Sequence, residues 1–334
     1  MDKELSSVHY DQYLQLNKIL DAQKLRSGEF DKPAHDEMLF IVIHQASELW
    51  LKLAGHEVEA AIRNISEHDF RHAFKVIARV KLILTQLTQA WSILSTMTPV
   101  DYLKFRDALG PASGFQSYTY RKLEFLLGNK NSKLVAVHRH DPDVYAELKR
   151  VLVAPSLYDI VLRKLNDDGF DIAADKLERD FSLPYEADES VQAAWLAIYR
   201  DPDTHFELYE LAEKLVDIED AFQAWRFKHM YTVQRIIGNR TGTGGSSGVP
   251  FLKKAIETSF FPELFDHIST DACHFYSPVS FSSWVVSSAG ASLSVSAATS
   301  SSLAAAGSAG VDLRMISTTG PVLPSEMTFR SPGC

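Results

Sequence analysis

The chain has 334 residues, of which 46% are hydrophobic and 23% charged, so it can bury the core of one large domain or two smaller ones. Its formal net charge of -9, with lysines and arginines interleaved among the acids, disfavours binding to nucleic acids, which requires a basic surface. Both cysteines, Cys273 and Cys334, lie near the carboxyl end, so the rest of the chain can form neither a disulfide nor a thiolate-bound metal cluster.

The amino end, MDKELSSVHYDQYLQLNK, lacks the apolar core of a signal peptide. No later stretch approaches the roughly 20 consecutive apolar residues that a membrane-spanning helix needs. The sequence therefore predicts a cytoplasmic protein, and its acidic charge favours a small-molecule partner.

Apolar residues recur three and four positions apart from Tyr10 to about Ile268, without a convincing run of alternating β-branched residues. This periodicity predicts an all-α fold. The longest helices are expected at about 36–65, 69–96 and 205–237. Each would be roughly 40 to 50 Å long at about 1.5 Å per residue, which is typical of a large helical bundle.

A further helix is predicted at TPVDYLKFRDALG, where Thr98 supplies an N-cap, Pro99 a first-turn proline and Asp101 a first-turn acid. Tyr102 and Arg106 would then lie one turn apart near the start of this helix. Loops are expected at 110–113 and 128–132.

The composition changes after about Asp271, where serine, alanine and glycine dominate and charges become sparse. The chain is therefore divided into a helical domain over 1–268 and an atypical Ser/Ala/Gly-rich tail over 269–334, which is predicted to be disordered.

Two short catalytic motifs can be set aside. Gly244, Ser246 and Gly248 match the G-x-S-x-G elbow of serine hydrolases, but that elbow follows a strand and this one follows a predicted helix. His56 begins like a zinc-protease motif, yet Ala60 stands where the second histidine should be.

The first candidate site lies in the segment HDEMLFIVIHQASELW of the predicted helix 36–65. Phe40 and His44 are four positions apart, so their side chains share one face of a strongly apolar helix. A ring on that face could bind an aromatic ligand. By pattern alone, a histidine packed in the core is the more frequent case.

The second candidate site is the pair Tyr102 and Arg106. An arginine can hold a carboxylate through two parallel, charge-assisted hydrogen bonds, so this pair could bind the carboxylate of an amino acid. An arginine on a solvated helix face explains the same pattern equally well.

The third candidate site lies in the predicted helix 205–237, where His229 follows Trp225 by one turn along an apolar row. Neutral imidazole binds haem iron, and a helical bundle can supply the dry pocket around it, although a lone histidine belongs more often to a core. After this helix, Thr243 lies in a glycine-rich loop, which allows the backbone to approach a ligand closely. Together the three segments suggest a site for an aromatic amino acid.

Three long blocks identify a family: HDEMLFIVIHQASELWLKL, FRDALGPASGFQSYTYRKLEFLLGNKN, and WRFKHMYTVQRIIG followed by GTGGSSGVPFLKKA. The sequences of these blocks, their order and their spacing resemble those of the tryptophan 2,3-dioxygenase family. The resemblance extends from about Tyr10 to the FFPELFD run that ends at Asp266. The resemblance implies an all-α bundle with haem in its interior. It also implies an enzyme that inserts both atoms of O2 across the indole C2–C3 bond of L-tryptophan, giving N-formylkynurenine, the first step of tryptophan catabolism by the kynurenine route.

The resemblance assigns the cofactor site. His229 would be the axial ligand of a non-covalently held haem b, which is active as ferrous iron. Trp91, Ser113 and Gly114 would line the haem, together with Trp225 beside the ligand.

The resemblance also assigns the substrate site. The substrate-binding residues that it implies are Phe40, Ile41, Val42, Ile43, His44, Tyr102, Arg106 and Thr243. His44 would be the catalytic residue and would hydrogen-bond to the indole N–H, on which Phe40 would pack. Tyr102 and Arg106 would bind the carboxylate, and Thr243 would contact the ammonium group.

The resemblance also implies how the subunits assemble. Tyr10, Tyr13 and Leu14 match residues that reach into the site of a neighbouring subunit, which implies a homotetramer built as a dimer of dimers.

Other functions stay open on the sequence alone. A related haem monooxygenase would act on another aromatic or indole substrate, and a haem sensor or carrier would keep His229 without needing a carboxylate clamp. A purely structural helical scaffold would bind no haem. Arg106 is the residue that discriminates the enzyme from the carrier.

Overall fold

The computed structural model describes residues 9–238 and 240–264, and the regular elements in these ranges are all helical. The α-helices are α1 (Tyr10–Leu14), α2 (Leu16–Leu20), α3 (His35–Ser66), α4 (Phe70–Leu94), α5 (Pro99–Leu103), α6 (Tyr118–Leu127), α7 (Ser132–Val135), α8 (Pro142–Val153), α9 (Leu157–Asp167), α10 (Ala174–Leu177), α11 (Glu189–Arg200), α12 (Phe206–Ile237) and α13 (Val249–Ile256). Short 3-10 helices lie at Ser27–Glu29, Arg106–Leu109, Gly114–Gln116 and Ala136–His138. The prediction of an all-α fold is confirmed, since no strand occurs in the ranges described.

The three longest helices, α3, α4 and α12, begin and end within two residues of the predicted bounds. Between the first two the chain turns sharply, because His68 adopts the left-handed conformation with φ 59°. Asp69 then caps α4, where its side chain accepts a hydrogen bond from the backbone N–H of His72. Local sequence signals therefore define these helices well.

The centre of the bundle is formed by α3, α4, α6 and α12. α4 packs along both α3 and α12, and α6 packs against α3. Val58, Leu84 and Ile218 from these helices are fully buried. Burying one such side chain contributes about 1.5–3 kcal/mol, so this core fixes the relative positions of the helices that carry the candidate site residues.

The predicted helix after Thr98 is interrupted. Thr98 caps α5 as predicted, but α5 ends at Leu103 and a 3-10 helix begins at Arg106. Between them Phe105 leaves helical geometry, with φ -127°, and places its side chain in the core, where it is 1% exposed. The prediction that Tyr102 and Arg106 lie on one continuous helix was therefore wrong, because burial of Phe105 outweighs continuation of the helix.

The segment before α3 is anchored by a buried carboxylate. Glu37, 1% exposed, accepts hydrogen bonds from the backbone N–H groups of Arg26 and Ser27 and from the Ser27 hydroxyl. The Ser27 hydroxyl oxygen in turn accepts a hydrogen bond from the backbone N–H of Ala34 at 2.9 Å. These contacts fix the first turn of α3 and, through it, the turn that carries Phe40.

None of the described helices combines the length and the hydropathy that a membrane crossing requires. The tail predicted over 269–334 and its boundary at 268 lie outside the described residues, so the division into two regions stays a prediction.

Candidate active site

A cavity of about 260 Å³ lies among α3, α4, α5, α6, α12, α13 and the loop 240–248. Nine of the residues predicted from the sequence line it: Phe40, His44, Trp91, Tyr102, Ser113, Gly114, Trp225, His229 and Thr243. The structure therefore brings the three candidate segments together around one cavity, although more than a hundred residues separate the first from the third.

His44 lies on the α3 wall of this cavity. Its Nδ1 is 2.7 Å from the backbone carbonyl oxygen of Phe40, and a carbonyl can only accept, so Nδ1 carries the hydrogen. The neutral ring then has an acceptor at Nε2. Burial lowers the pKa of His44, an effect that the Phe40 carbonyl and the charge of Glu48 only partly offset, so the neutral ring is favoured.

His229 lies on the α12 wall. Burial lowers its pKa to about 4, with a further contribution from His44, so its imidazole is neutral at pH 7. The ring stacks on Trp91 with centroids 4.4 Å apart and lies 5.6 Å from the ring of Trp225. No other described residue hydrogen-bonds to the His229 ring, so its nitrogens are free to bind a ligand.

Tyr102 and Arg106 occupy one edge of the cavity. Tyr102 is buried and lines it, and burial raises the pKa of its hydroxyl while the nearby Arg106 guanidinium partly offsets the rise. Arg106 is outside the lining. Its Nη2 donates to the carbonyl oxygen of Thr241 at 3.0 Å, and its buried Nε has no partner among the described residues.

The loop 240–248 closes against the segment before α6. Thr243 Oγ1 donates to the carbonyl oxygen of Ala112 at 2.6 Å. A Cβ on Gly244 would lie 2.6 Å from the Cβ of Ser113, so only glycine permits this approach of the two backbones. These contacts hold Thr243 and Ser113 at the same end of the cavity.

Several predicted residues are not part of this cavity. On α3, Ile43 is buried in the core and Val42 is 43% exposed, and neither they nor Ile41 line it. Tyr10 and Tyr13, on α1, are 74% and 78% exposed, and Leu14 is 37% exposed.

Other lining residues were missed by the sequence reasoning. Ser47, Glu48 and Leu51 continue the face of α3 that carries His44 at helical spacing, so extending that periodicity would have found them. Arg121 and Arg226 also line the cavity. Arg226 carries no local signal, because its partner Glu124 lies on another helix, whereas Arg121 and Glu124 are three positions apart on α6.

The two arginines belong to a buried ionic cluster behind the lining. Arg226 Nη2 donates to Glu124 Oε1 at 3.2 Å, and Arg121 donates to the other oxygen of the same carboxylate. The Tyr120 hydroxyl also donates to Glu124 Oε1, at 2.8 Å. Arg226 further donates to the carbonyl oxygen of Thr258 at 2.7 Å, which ties the segment after α13 to the helix that carries His229.

Comparison with known proteins agrees with these observations. The family model described as tryptophan 2,3-dioxygenase matches residues 1–154 and 151–270. The tryptophan 2,3-dioxygenase of Shewanella woodyi is 64% identical over 261 residues, which cover 78% of this chain and 90% of that protein. The corresponding proteins of Burkholderia pseudomallei and Burkholderia lata are 53% and 54% identical over 264 residues, which cover 79% of this chain and 84% and 83% of those proteins.

Proposed function

The chain belongs to the tryptophan 2,3-dioxygenase family, and from this premise we propose that its cavity holds haem on His229 and L-tryptophan against His44. The protein is an enzyme that oxidises L-tryptophan with O2 to N-formylkynurenine. Both oxygen atoms enter the product and the indole C2–C3 bond breaks, so the reaction needs no further reductant. The monooxygenase and carrier alternatives are not favoured.

The family is generally haem-dependent, and the residues around the cavity fit such a group. His229 offers a neutral imidazole, and the indole N–H groups of Trp91 and Trp225 are buried without partners. A single histidine suits haem iron, because the equatorial ligands come from the macrocycle. When bound, haem b supplies the oxygen chemistry.

The substrate is proposed to lie between α3 and the loop 240–248. His44 has an acceptor at Nε2 for the indole N–H, and the ring of Phe40, 4.1 Å from that of His44, offers an apolar surface for the indole. Arg106 has an unpaired buried donor for the carboxylate, with the Tyr102 hydroxyl beside it. The Thr243 hydroxyl oxygen can accept a hydrogen bond from the ammonium group.

The protein's contribution to the reaction is then positioning and exclusion of water. Hydrogen bonds at both ends of the substrate orient the C2–C3 bond, which turns a bimolecular encounter into an oriented reaction within one complex. His44 accepts a hydrogen bond from the indole N–H at Nε2, and the apolar lining keeps bulk water from the reacting atoms.

The observation that carries this proposal is the convergence of His44, His229 and Tyr102 on one cavity. It is tested by supplying haem, reducing the protein anaerobically, and adding L-tryptophan with ¹⁸O2. N-formylkynurenine carrying two labelled oxygen atoms is expected. A product with a single labelled atom would indicate the monooxygenase, and unchanged tryptophan on a haem-loaded protein would indicate the carrier.

The low pKa of His44 predicts how activity depends on pH. Because burial disfavours the charged ring, the neutral acceptor persists below pH 6.5, the ordinary pKa of histidine. We expect kcat/KM to stay level as the pH falls through 6.5 and to decline only at lower pH, measured between about pH 5 and 8. His44→Gln, which cannot titrate, serves as the control and should lack this decline. A half-loss of wild-type activity at or above pH 6.5 would contradict a lowered pKa.

We propose in addition a homotetramer in which α1 of one subunit completes the site of its neighbour. α1 and α2 have no buried residues, and Tyr10 and Tyr13 expose three-quarters of their side chains. Exposed aromatic residues of this kind are typical of a protein–protein contact. The cytoplasmic location stays a prediction from the sequence.

Tyr13→Ala is expected to lower kcat/KM by about tenfold, since an aromatic contact residue typically contributes about 1–2 kcal/mol to an interface. Steady-state kinetics and light scattering measure the effect together with the mass of the assembly. Phe30→Ala is the matched control, because Phe30 is equally exposed, at 72%, but lies outside α1. A monomeric mass with full activity would overturn the shared site.

A further inference from the structure

The segment 258–264, which follows α13 and is called the brace below, is held against α12 by a buried carboxylate. Glu219 of α12 is fully buried, and its Oε2 accepts hydrogen bonds from the backbone N–H groups of Phe260 and Phe261 at 2.6 and 3.1 Å. The Ser259 hydroxyl donates to the same oxygen at 3.1 Å. Buried N–H groups are costly to leave without a partner, so this carboxylate fixes the course of the brace.

The next turns of α12 also hold the brace. Gln223 Nε2 and Arg226 Nη1 both donate to the carbonyl oxygen of Thr258, at 3.0 and 2.7 Å. Glu219, Gln223 and Arg226 follow one another at spacings of four and three positions, so they share one face of α12. The brace is therefore bonded to two successive turns of this helix.

A second buried carboxylate anchors the other end of the brace. Glu263, 1% exposed, accepts hydrogen bonds from the hydroxyl groups of Tyr158 and Tyr185 at 2.8 and 2.6 Å. It also accepts from the backbone N–H of Asp188, the N-cap residue of α11, at 2.9 Å. Burial and the charge of Glu263 raise the pKa of the Tyr185 hydroxyl, so this group stays a donor. The brace thus joins α12 to α9 and to the start of α11.

Aromatic rings connect the brace with the predicted iron ligand. The ring of Phe260 packs edge-on against that of Phe222, with centroids 4.9 Å apart, and both side chains are almost fully buried. Phe222 lies 5.7 Å from Trp225, which lies 5.6 Å from His229. Because buried rings are close-packed, a displacement of the brace would be transmitted along this row.

We infer that Glu219 and Glu263 are positioning residues for the iron ligand, because they hold the two ends of a brace that fixes α12 and thereby the direction of the His229 ring. The inference rests on the proposed function, since it requires haem iron on His229. No residue of the brace lines the cavity, so its effect must pass through α12. A metal ligand must be held within about 0.5 Å and 10–20° of its productive geometry, and groups behind the ligand maintain that alignment.

Two tyrosine variants provide a matched test. Tyr185→Phe and Tyr199→Phe each keep the ring and remove one hydroxyl that donates to a carboxylate at 2.6 Å. The acceptor of Tyr185 is Glu263 of the brace, whereas the acceptor of Tyr199 is Glu213, which lies on α12 far from His229 and outside the brace. Both variants should lower the free energy of unfolding by a similar amount, which denaturant titration measures.

The decisive readouts concern the iron–histidine bond. The full-length chain is loaded with haem and reduced without O2, and its iron–histidine stretching band is recorded by resonance Raman spectroscopy. The rate of haem loss is then measured by transfer to an excess of a haem-free globin. Tyr185→Phe is expected to shift or broaden the band and to speed haem loss by about tenfold, the lower end of the effect of losing a group that orients a metal ligand. Tyr199→Phe should match the wild type in both readouts.

Variants of Glu219 test the α12 end of the brace. Glu219→Gln keeps one oxygen that can accept from the backbone and should retain most of the wild-type signature. Glu219→Ala removes both oxygens and should change the band and the rate of haem loss at least as much as Tyr185→Phe does. If Glu219→Ala does not fold, the matched tyrosine variants still decide the question.

The outcomes separate this inference from the proposed function. An unchanged band and rate of haem loss in Tyr185→Phe, together with a lower free energy of unfolding, would show that the brace only supports the fold. Equal changes in Tyr185→Phe and Tyr199→Phe would indicate general loosening and would also overturn the inference. If the haem-loaded wild type shows no iron–histidine band, His229 is not the ligand and the proposed function fails as well.

Discussion

His229→Ala is expected to abolish axial ligation of haem iron and to weaken haem binding by more than about 100-fold. Loss of a residue that merely supports a metal ligand costs about 10- to 100-fold, so loss of the ligand itself should cost at least as much. The helices should persist, because the His229 ring lines a cavity and makes no hydrogen bond to another described residue. Absorbance titration measures haem binding, and circular dichroism measures the helix content.

Exogenous imidazole provides the decisive control for this variant. The space left by the side chain should admit free imidazole and restore a histidine-like spectrum. His56→Ala removes an exposed histidine of α3 and should bind haem normally. If His229→Ala kept an unchanged histidine-ligated spectrum without added imidazole, another residue would have to be the axial ligand.

Arg106→Leu should lower kcat/KM for L-tryptophan by roughly 10² to 10⁴-fold. Removing one partner of a buried ion pair typically costs about 3–5 kcal/mol, at about 1.4 kcal/mol per tenfold. Two observations support this proposed role: the buried Nε of Arg106 is unpaired, and its Nη2 donates a hydrogen bond to the Thr241 carbonyl oxygen. Steady-state kinetics with both enzymes measure the loss.

Tryptamine, which lacks the carboxylate, shows whether Arg106 acts through that group. For the wild type, kcat/KM should be lower with tryptamine than with L-tryptophan by a comparable factor. For the variant, kcat/KM should differ little between the two substrates, because the interaction between Arg106 and the carboxylate is already gone. Lys104→Leu is the control, as Lys104 is an exposed cation two positions away that pairs with Asp101. Additive losses from the variant and from tryptamine would mean that Arg106 does not contact the carboxylate.

The family resemblance anticipated nine of the residues that line the cavity. His44 and His229 were placed on the correct helices, and the structure turns both toward the same cavity. Their roles and those of the other site residues stay predictions until the variants are measured. The break between α5 and the 3-10 helix at Arg106 could not be predicted, because it depends on the space that the core offers to Phe105.

The sequence by itself determined where the long helices begin and end. Backbone hydrogen bonds and apolar periodicity act over three or four residues, so α3, α4 and α12 could be located within two residues. Only the tertiary structure decided which groups meet across the bundle. Thr243 bonds to a carbonyl 131 positions earlier in the chain, and Arg226 bonds to the carboxylate of Glu124, 102 positions earlier. Such contacts depend on how the helices pack, so the spacing of residues along the chain does not predict them.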